Sequence, residues 1–251
     1  LFAYITVNLL LNNQQSAKAV QIIREREDTK AYLQTPMWDF ELGNALLHHL
    51  EADAAIFLER FLQSFKGSFY RKDALQKLSW YYFLNNDPAK ASRFRMKVLS
   101  EGNTQTDPDR QAYREARSGI WPNPTLLKAR LLCDGGYYAE ALQLLSGKRS
   151  TDFDLERDRI EFNYRVARIY DETNRKKEAV VFYRETIRMG ENRKEYYAAR
   201  SALQMGLICE KDNQWGQALQ WYRKCIDMKD HEYENSLEQR AKAGIGRCTR
   251  Q

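Results

Sequence analysis

The sequence predicts an all-α fold built from consecutive helical hairpins, and three observations predict it. The 251 residues include only 12 Gly and 5 Pro, against 43% hydrophobic and 29% charged residues. Ala, Leu, Glu, Lys, Arg and Gln, the good helix formers, are abundant. Apolar and small residues recur at helical spacing in paired segments joined by short polar turns. Finally, an alanine opens the second segment of each pair. Ala19, Ala55, Ala91, Ala141, Ala179 and Ala218 lie 36, 36, 50, 38 and 39 residues apart. Spacing of that kind marks repeats that bury their apolar faces on one another.

The first hairpin pairs residues 1–11 with 16–27 around the turn Asn12-Asn13-Gln14, with Val7 and Leu10 facing Ala19 and Ile23. The second opens at Thr35-Pro36, a capping residue followed by a proline suited to a first helical position. Leu42, Gly43 and Leu46 precede Ala55, and Phe57, Phe61 and Phe65 form a stripe for burial. The third spans 70–101. Leu75, Leu78, Ser79 and Tyr82 face Ala91 and Val98 across the turn Asn85-Asn86-Asp87-Pro88. The interval of 50 holds an insertion, 102–124: a polar helix opening at Asp107-Pro108, then breakers at Ser118-Gly119 and Trp121-Pro122-Asn123-Pro124. This is the one expected boundary, between three hairpins in 1–101 and the remainder in 125–251.

The fourth hairpin turns at Asp134-Gly135-Gly136, which is a turn and not a nucleotide loop, since no strand precedes it. The fifth runs over 153–190, where Ala167 and Tyr170 answer Ala179 and Tyr183. In the sixth, Ala202, Met205, Gly206 and Cys209 share a face, as do Trp215, Ala218, Tyr222 and Cys225. A last helix over 236–248 places Leu237, Ala241, Gly244 and Cys248 on one stripe to seal the array. Ser236 with Gln239 reads as its capping box.

In the sixth pair Ala218 follows Gly206 by twelve residues, and Tyr222 follows Ala218 by four. This spacing resembles the tetratricopeptide repeat, whose usual period is about 34 residues. The lengthened repeats and the insertion also resemble the layout of larger tetratricopeptide proteins, from which no function follows. The resemblance implies a right-handed superhelical solenoid of about six hairpins and a capping helix, forming one continuous array. It implies a concave groove, lined by the first helices, that receives a peptide or protein segment. Carried onto this sequence, the groove residues are Tyr4, Asn8, Phe40, Asn44, Gln76, Trp80, Phe83, Arg130, Tyr164, Arg168, Arg200 and Leu203. Members that clamp a terminal carboxylate use Lys and Asn. Here Tyr4 and Phe40 stand where that Lys is expected, which argues against that specificity.

The net charge of +6 comes from Lys and Arg interleaved with Asp and Glu, without a basic run. That pattern reads as a solvated helix surface, and a nucleic-acid partner is not expected. Cys133, Cys209, Cys225 and Cys248 match no zinc spacing and read as buried free thiols, which leans toward a reducing, cytoplasmic setting. The apolar segment 1–11 is far short of the ~20 residues of a membrane helix. The chain starts without Met and reads as a piece of a longer protein, so an upstream anchor or an exported form fits as well. His48 and His49, adjacent at a helix end, read as surface or turn residues that cannot form an i, i+4 metal pair. With His231 they are the only three histidines, and no catalytic motif or cofactor loop is present. The expectation is a non-enzymatic interaction scaffold with no cofactor. A spacer or assembly arm of a larger protein is the alternative. A ligand site or enzyme with 102–124 as a lid is a third.

Overall fold

A computed structural model describes residues 1–27 and 34–250. Among them are fourteen α-helices, one short 3-10 turn and no strand. The chain divides into two compact units, 1–141 and 142–251.

The first unit contains α1 (Phe2–Asn12), α2 (Ser16–Glu27), α3 (Met37–His48), α4 (Ala54–Ser64), α5 (Arg71–Leu84), α6 (Pro88–Ser100), α7 (Asp107–Ser118), α8 (Pro124–Gly135) and the start of α9 (Tyr138–Leu145). From α1 to α7 each helix packs on the next, and α1, α3, α5 and α7 also touch in turn. The first helices of the hairpins thus form one layer and the second helices another. Local sequence sets the starts. Asp87 accepts from Lys90 N–H at 3.0 Å ahead of Pro88, and Thr106 from Asp109 N–H at 3.2 Å ahead of Pro108. Asn123 accepts from Thr125 and Leu126 N–H at 3.0 and 3.3 Å ahead of Pro124. Each is a side-chain cap with proline in the first turn, where its missing N–H costs nothing.

Helix α5 has no such cap of its own. Tyr70, at its start, adopts φ 58°. The donors there are satisfied from the insertion: the fully buried carboxylate of Asp109 accepts from Tyr70 N–H at 2.6 Å and Asp73 N–H at 3.1 Å. The inserted helix α7 is therefore a structural part of the first unit, and the division falls after Ala141 instead of within 102–124.

After the insertion the chain departs from a simple continued array. Helix α8 returns to pack on α3. Its Leu127 and Leu131 join Trp38, Leu42, Leu46 and Trp80 in one core cluster. The turn after α8 seats on the α1–α2 turn. Gly136 has φ +86°, and a Cβ there would lie 1.9 Å from the Gln14 carbonyl oxygen. Tyr138 donates its hydroxyl to Gln14. At position 136 only glycine meets both the backbone and the space requirement.

His48 is not a surface residue. It is 8% exposed inside α3, with Nδ1 2.8 Å from Ser16 Oγ. Burial pushes its pKa down to about 4, with Lys77 and Arg130 adding to the fall and Asp134 opposing it. The unfolded chain, near 6.5, then binds the proton first as pH falls, so stability is lost between about pH 6.5 and 4. His48→Asn keeps an acceptor for Ser16 without the titration. Its melting temperature should fall less than wild type over that interval, and parallel curves in a pH series would refute the assignment. His49, by contrast, is partly exposed and stacks on Tyr137 at 4.1 Å.

The second unit contains α10 (Glu156–Glu172), α11 (Lys176–Gly190), α12 (Tyr197–Lys211), α13 (Trp215–Asp227) and α14 (Glu234–Cys248), preceded by the 3-10 turn Ser150–Asp152. Neighbours pack in order, and α10, α12 and α14 form the first-helix layer. Two fully buried tyrosines repeat one device. Tyr183 donates to Asp171 at 3.0 Å and Tyr222 to Glu210, each acid twelve residues earlier on the preceding helix. Arg247 of the sealing helix α14 reaches the same Glu210 at 2.6 and 2.8 Å. Leu237, Ala241, Gly244 and Cys248 are buried as the stripe requires. Ser236 is not the cap: it lies inside α14, which starts at Glu234 after Tyr233 in a left-handed conformation. The glutamate instead turns back to accept from Asp230 N–H at 2.9 Å.

Candidate interaction faces on the first helices

In the first unit the predicted groove residues meet the protein itself. Tyr4 and Asn8 on α1 both donate to one oxygen of Glu41 on α3, at 3.1 and 3.0 Å. Burial holds the Glu41 carboxyl above its usual range, while its donors pull it back down. Phe40 is 4% exposed and packs on Phe61 and Tyr70 at 5.1 Å each, with the Lys77 ammonium 5.5 Å from its ring. Gln76 is buried and donates to Glu115 of α7 at 2.5 Å. Trp80 is buried with α8, and the Arg130 guanidinium sits 4.8 Å from its ring while reaching Glu115 at 3.4 Å. Phe83 stacks on Trp121 of the insertion at 4.8 Å. Asn44 remains partly exposed, with its Oδ1 buried and lacking a hydrogen-bond partner among the described residues. The expected open groove of this unit is therefore corrected. Phe40, Gln76 and Trp80 are core, and α8 lies where an incoming segment was expected.

The strap after α7 closes over this region without forming a ligand chamber. Arg95 of α6 donates to the carbonyls of Glu115, Ala116 and Ile120 and lies 4.6 Å from the Trp121 ring. The cavity beneath, bordered by Trp80, Glu115 and Pro122, holds about 20 Å³. That is room for about one water.

In the second unit Tyr164 and Leu203 are also core, 3% and 1% exposed. Tyr164 packs on Tyr196 and Tyr197. Arg168 pairs with Glu172 at 2.6 Å, its side chain 13% exposed. Arg200 is partly exposed, with Nε buried and lacking an acceptor among the described residues. Arg240 of α14 is exposed, and sequence reasoning missed it because α14 reads only as a seal. Its pKa is lowered by desolvation first, then by the charges of Arg200 and Arg168. The four cysteines are buried thiols outside any disulfide, and burial pushes the Cys225 thiol up to about 11. Among the described residues no cluster of His, Cys, Asp and Glu could hold a metal ion. None of their helices is long and apolar enough to cross a membrane.

A tetratricopeptide-repeat family model matches residues 160–189, the α10–α11 hairpin. No curated protein matches this chain. Among solved structures it is similar to the crystal structure of the P58(IPK) TPR domain, with 12% identity and a TM-score of 0.41. That match covers 99% of this chain but 64% of the other, so this chain spans under two thirds of its length. It is also similar to the C-terminal part of a TPR repeat-containing protein from Cytophaga hutchinsonii, with 11% identity and a TM-score of 0.37. There the match covers 96% of this chain and 99% of that one. The protein is an all-helical array of hairpins, of which the pair over residues 160–189 matches the tetratricopeptide-repeat model.

Proposed function

We propose that the protein is a non-enzymatic scaffold that holds a polypeptide segment on the first-helix layer of its second unit. The observation that carries this reading is a contrast between two layers. In the first unit the layer is filled by the unit's own α8. In the second, α10, α12 and α14 stand side by side, and among the described residues no further helix of that unit packs across them. Most of α10 and α12 is buried, and Arg168, Arg200 and Leu207 are partly exposed on them; a repeat array can take a chain segment along residues of this kind.

A second reading, an arm within a larger assembly, draws on α1. Phe2, Ile5 and Leu9 form an apolar stripe along that helix and are 88%, 46% and 57% exposed. A contiguous stripe of this sort marks a contact surface. One experiment separates the two readings. A photo-crosslinking phenylalanine derivative is placed at Leu207 on α12, at Ile5 on α1, or at Val181 on α11 as a control. Protein adducts at position 207 and none at 181 are expected. Adducts confined to position 5 favour the arm, and equal labelling at all three sites defeats both readings.

A further inference from the structure

Helix α7 turns two of its acids into the first unit and its arginines outward. Asp109 is fully buried at the start of α5. Glu115 accepts from Gln76 at 2.5 Å, Gln111 at 3.0 Å and Arg130 at 3.4 Å. The exposed residues of the helix are Asp107, Pro108, Arg110, Arg114, Arg117 and Ser118. Residues three and four apart on a helix are neighbours on successive turns, about 5–6 Å apart at Cβ. Arg110, Arg114 and Arg117 therefore form one row on the outer face, within about 60° around the axis. Contacts hold the row in place. Arg110 donates to the carbonyls of Thr104 and Gln105 at 3.2 and 2.9 Å and pairs with Asp107, and Arg114 Nε lies 3.5 Å from the Arg110 carbonyl. Among the described residues Arg117 makes no side-chain hydrogen bond or ion pair. The mount is fixed at both ends: Asp109 ties the helix to α5, and Arg95 of α6 holds the Glu115 and Ala116 carbonyls. Asp107 is the single exposed acid of α7, so the row carries an excess of positive charge. Like charges one turn apart repel, and an anion laid along them relieves that cost.

We propose that the outer face of α7 is a docking surface on which Arg110, Arg114 and Arg117 bind an acidic segment of a partner polypeptide through its side-chain carboxylates. The surface lies on the first unit and goes beyond the reading above, which concerns the second. Guanidinium forks suit carboxylates, which accept two parallel N–H bonds. A segment is favoured over a lone small anion because the row is about 10 Å long. Alternate side chains of an extended chain lie about 7 Å apart on one side and can meet successive arginines. A polypeptide is favoured over a single nucleic-acid strand because such strands are held by base stacking as well as charge. No aromatic residue is among the exposed residues of α7, and its one tyrosine, Tyr113, is partly buried with the Lys72 ammonium 5.0 Å from its ring. Ile120, 52% exposed just beyond the helix, adds an apolar contact at the end of the row.

Fluorescence anisotropy with the full chain tests this. The probes are a twelve-residue peptide of alternating Glu and Ser with blocked termini, the same peptide with Gln for Glu, and single-stranded oligouridine. The Glu peptide is expected to bind at least about tenfold more tightly than the Gln peptide and to weaken as salt rises. Arg114→Gln with Arg117→Gln should weaken it about tenfold or more, the cost of two charge-assisted contacts. Arg117→Gln alone, at an exposed site in the last turn, should weaken it a few-fold and keeps the test valid if the double variant unfolds. Asp107→Asn removes the one exposed acid of the face and should tighten binding a few-fold. Arg188→Gln on α11, which removes the same charge from the second unit, should change nothing, since that arginine already pairs with Glu185 at 2.6 Å. No binding of the Glu peptide, unchanged binding in the Arg117 variant, an equal loss in the Arg188 variant, or tighter binding of oligouridine than of the Glu peptide would each overturn the proposal. The crosslinking experiment at position 207 reads the second unit, so the two readings fail or survive separately.

Discussion

Gly244→Ala is expected to destabilise the second unit by about 1–2 kcal/mol, although alanine is the better helix former. The ring of Tyr222 lies between two glycines on different helices. A Cβ at Gly244 would come within 2.5 Å of its Cε2 and Cζ, and one at Gly206 within 2.5 Å of its Cε1. The ring therefore cannot retreat from one side without meeting the other, and Glu210 pins its hydroxyl. Overpacking of this kind costs about 1–3 kcal/mol. Helix propensity returns only about 0.5–1 kcal/mol. The clash wins, and a control isolates it. Gly246 in the same helix has nothing within 4 Å of its would-be Cβ. Gly246→Ala should stabilise by about 0.5–1 kcal/mol in chemical denaturation. In a Tyr222→Leu background the effect of Gly244→Ala should shrink or change sign. If both glycine variants stabilise wild type equally, the two-sided fit around Tyr222 is wrong.

The same pair of glycines shows how far the sequence is legible. The spacing of Gly206, Ala218 and Tyr222 reveals the hairpin, because burial of one helix face leaves a period that local sequence must obey. Prolines and capping side chains at Asp87, Thr106 and Asn123 announce helix starts for equally local reasons. Gly206 reads in the sequence as a small residue on the packed face of its helix. In the structure it is a slot for a ring, and that depends on α14, which lies some forty residues further on. The groove is less legible for the same reason. Nothing near Trp80 or Phe40 records that α8 comes back across α3. The long interval between Ala91 and Ala141 announces an insertion but not where the chain goes after it. Glu41 and Asp109 give no local sign of their burial, because a single acid in an amphipathic helix is ordinarily solvated. The twelve-residue spacing of Asp171 to Tyr183 and Glu210 to Tyr222 is readable in the sequence, and it marks the acids that serve buried hydroxyls.

Asp109→Ala is expected to cost the first unit about 3 kcal/mol. Its carboxylate is fully buried and accepts from two backbone N–H groups at the start of α5 and from the Thr106 hydroxyl at 2.6 Å. Hydrogen bonds to a charged acceptor contribute about 1.5–3 kcal/mol, and a donor left buried without a partner costs about 1–3 kcal/mol. The helix dipole at the α5 start adds to the attraction, since an anion there faces the positive end. Asp109→Asn keeps one acceptor oxygen without the charge and should recover about half of the loss. The location of the damage separates this role from a movable lid. Hydrogen exchange at the amides of Tyr70 and Asp73 should accelerate in the alanine variant, together with those of α7, while the second unit stays unchanged. A lid that merely rests on the surface would loosen α7 and leave the α5 start protected. That outcome would reverse the assignment of α7 as the missing cap of α5 and reopen the strap beside it as a mobile element.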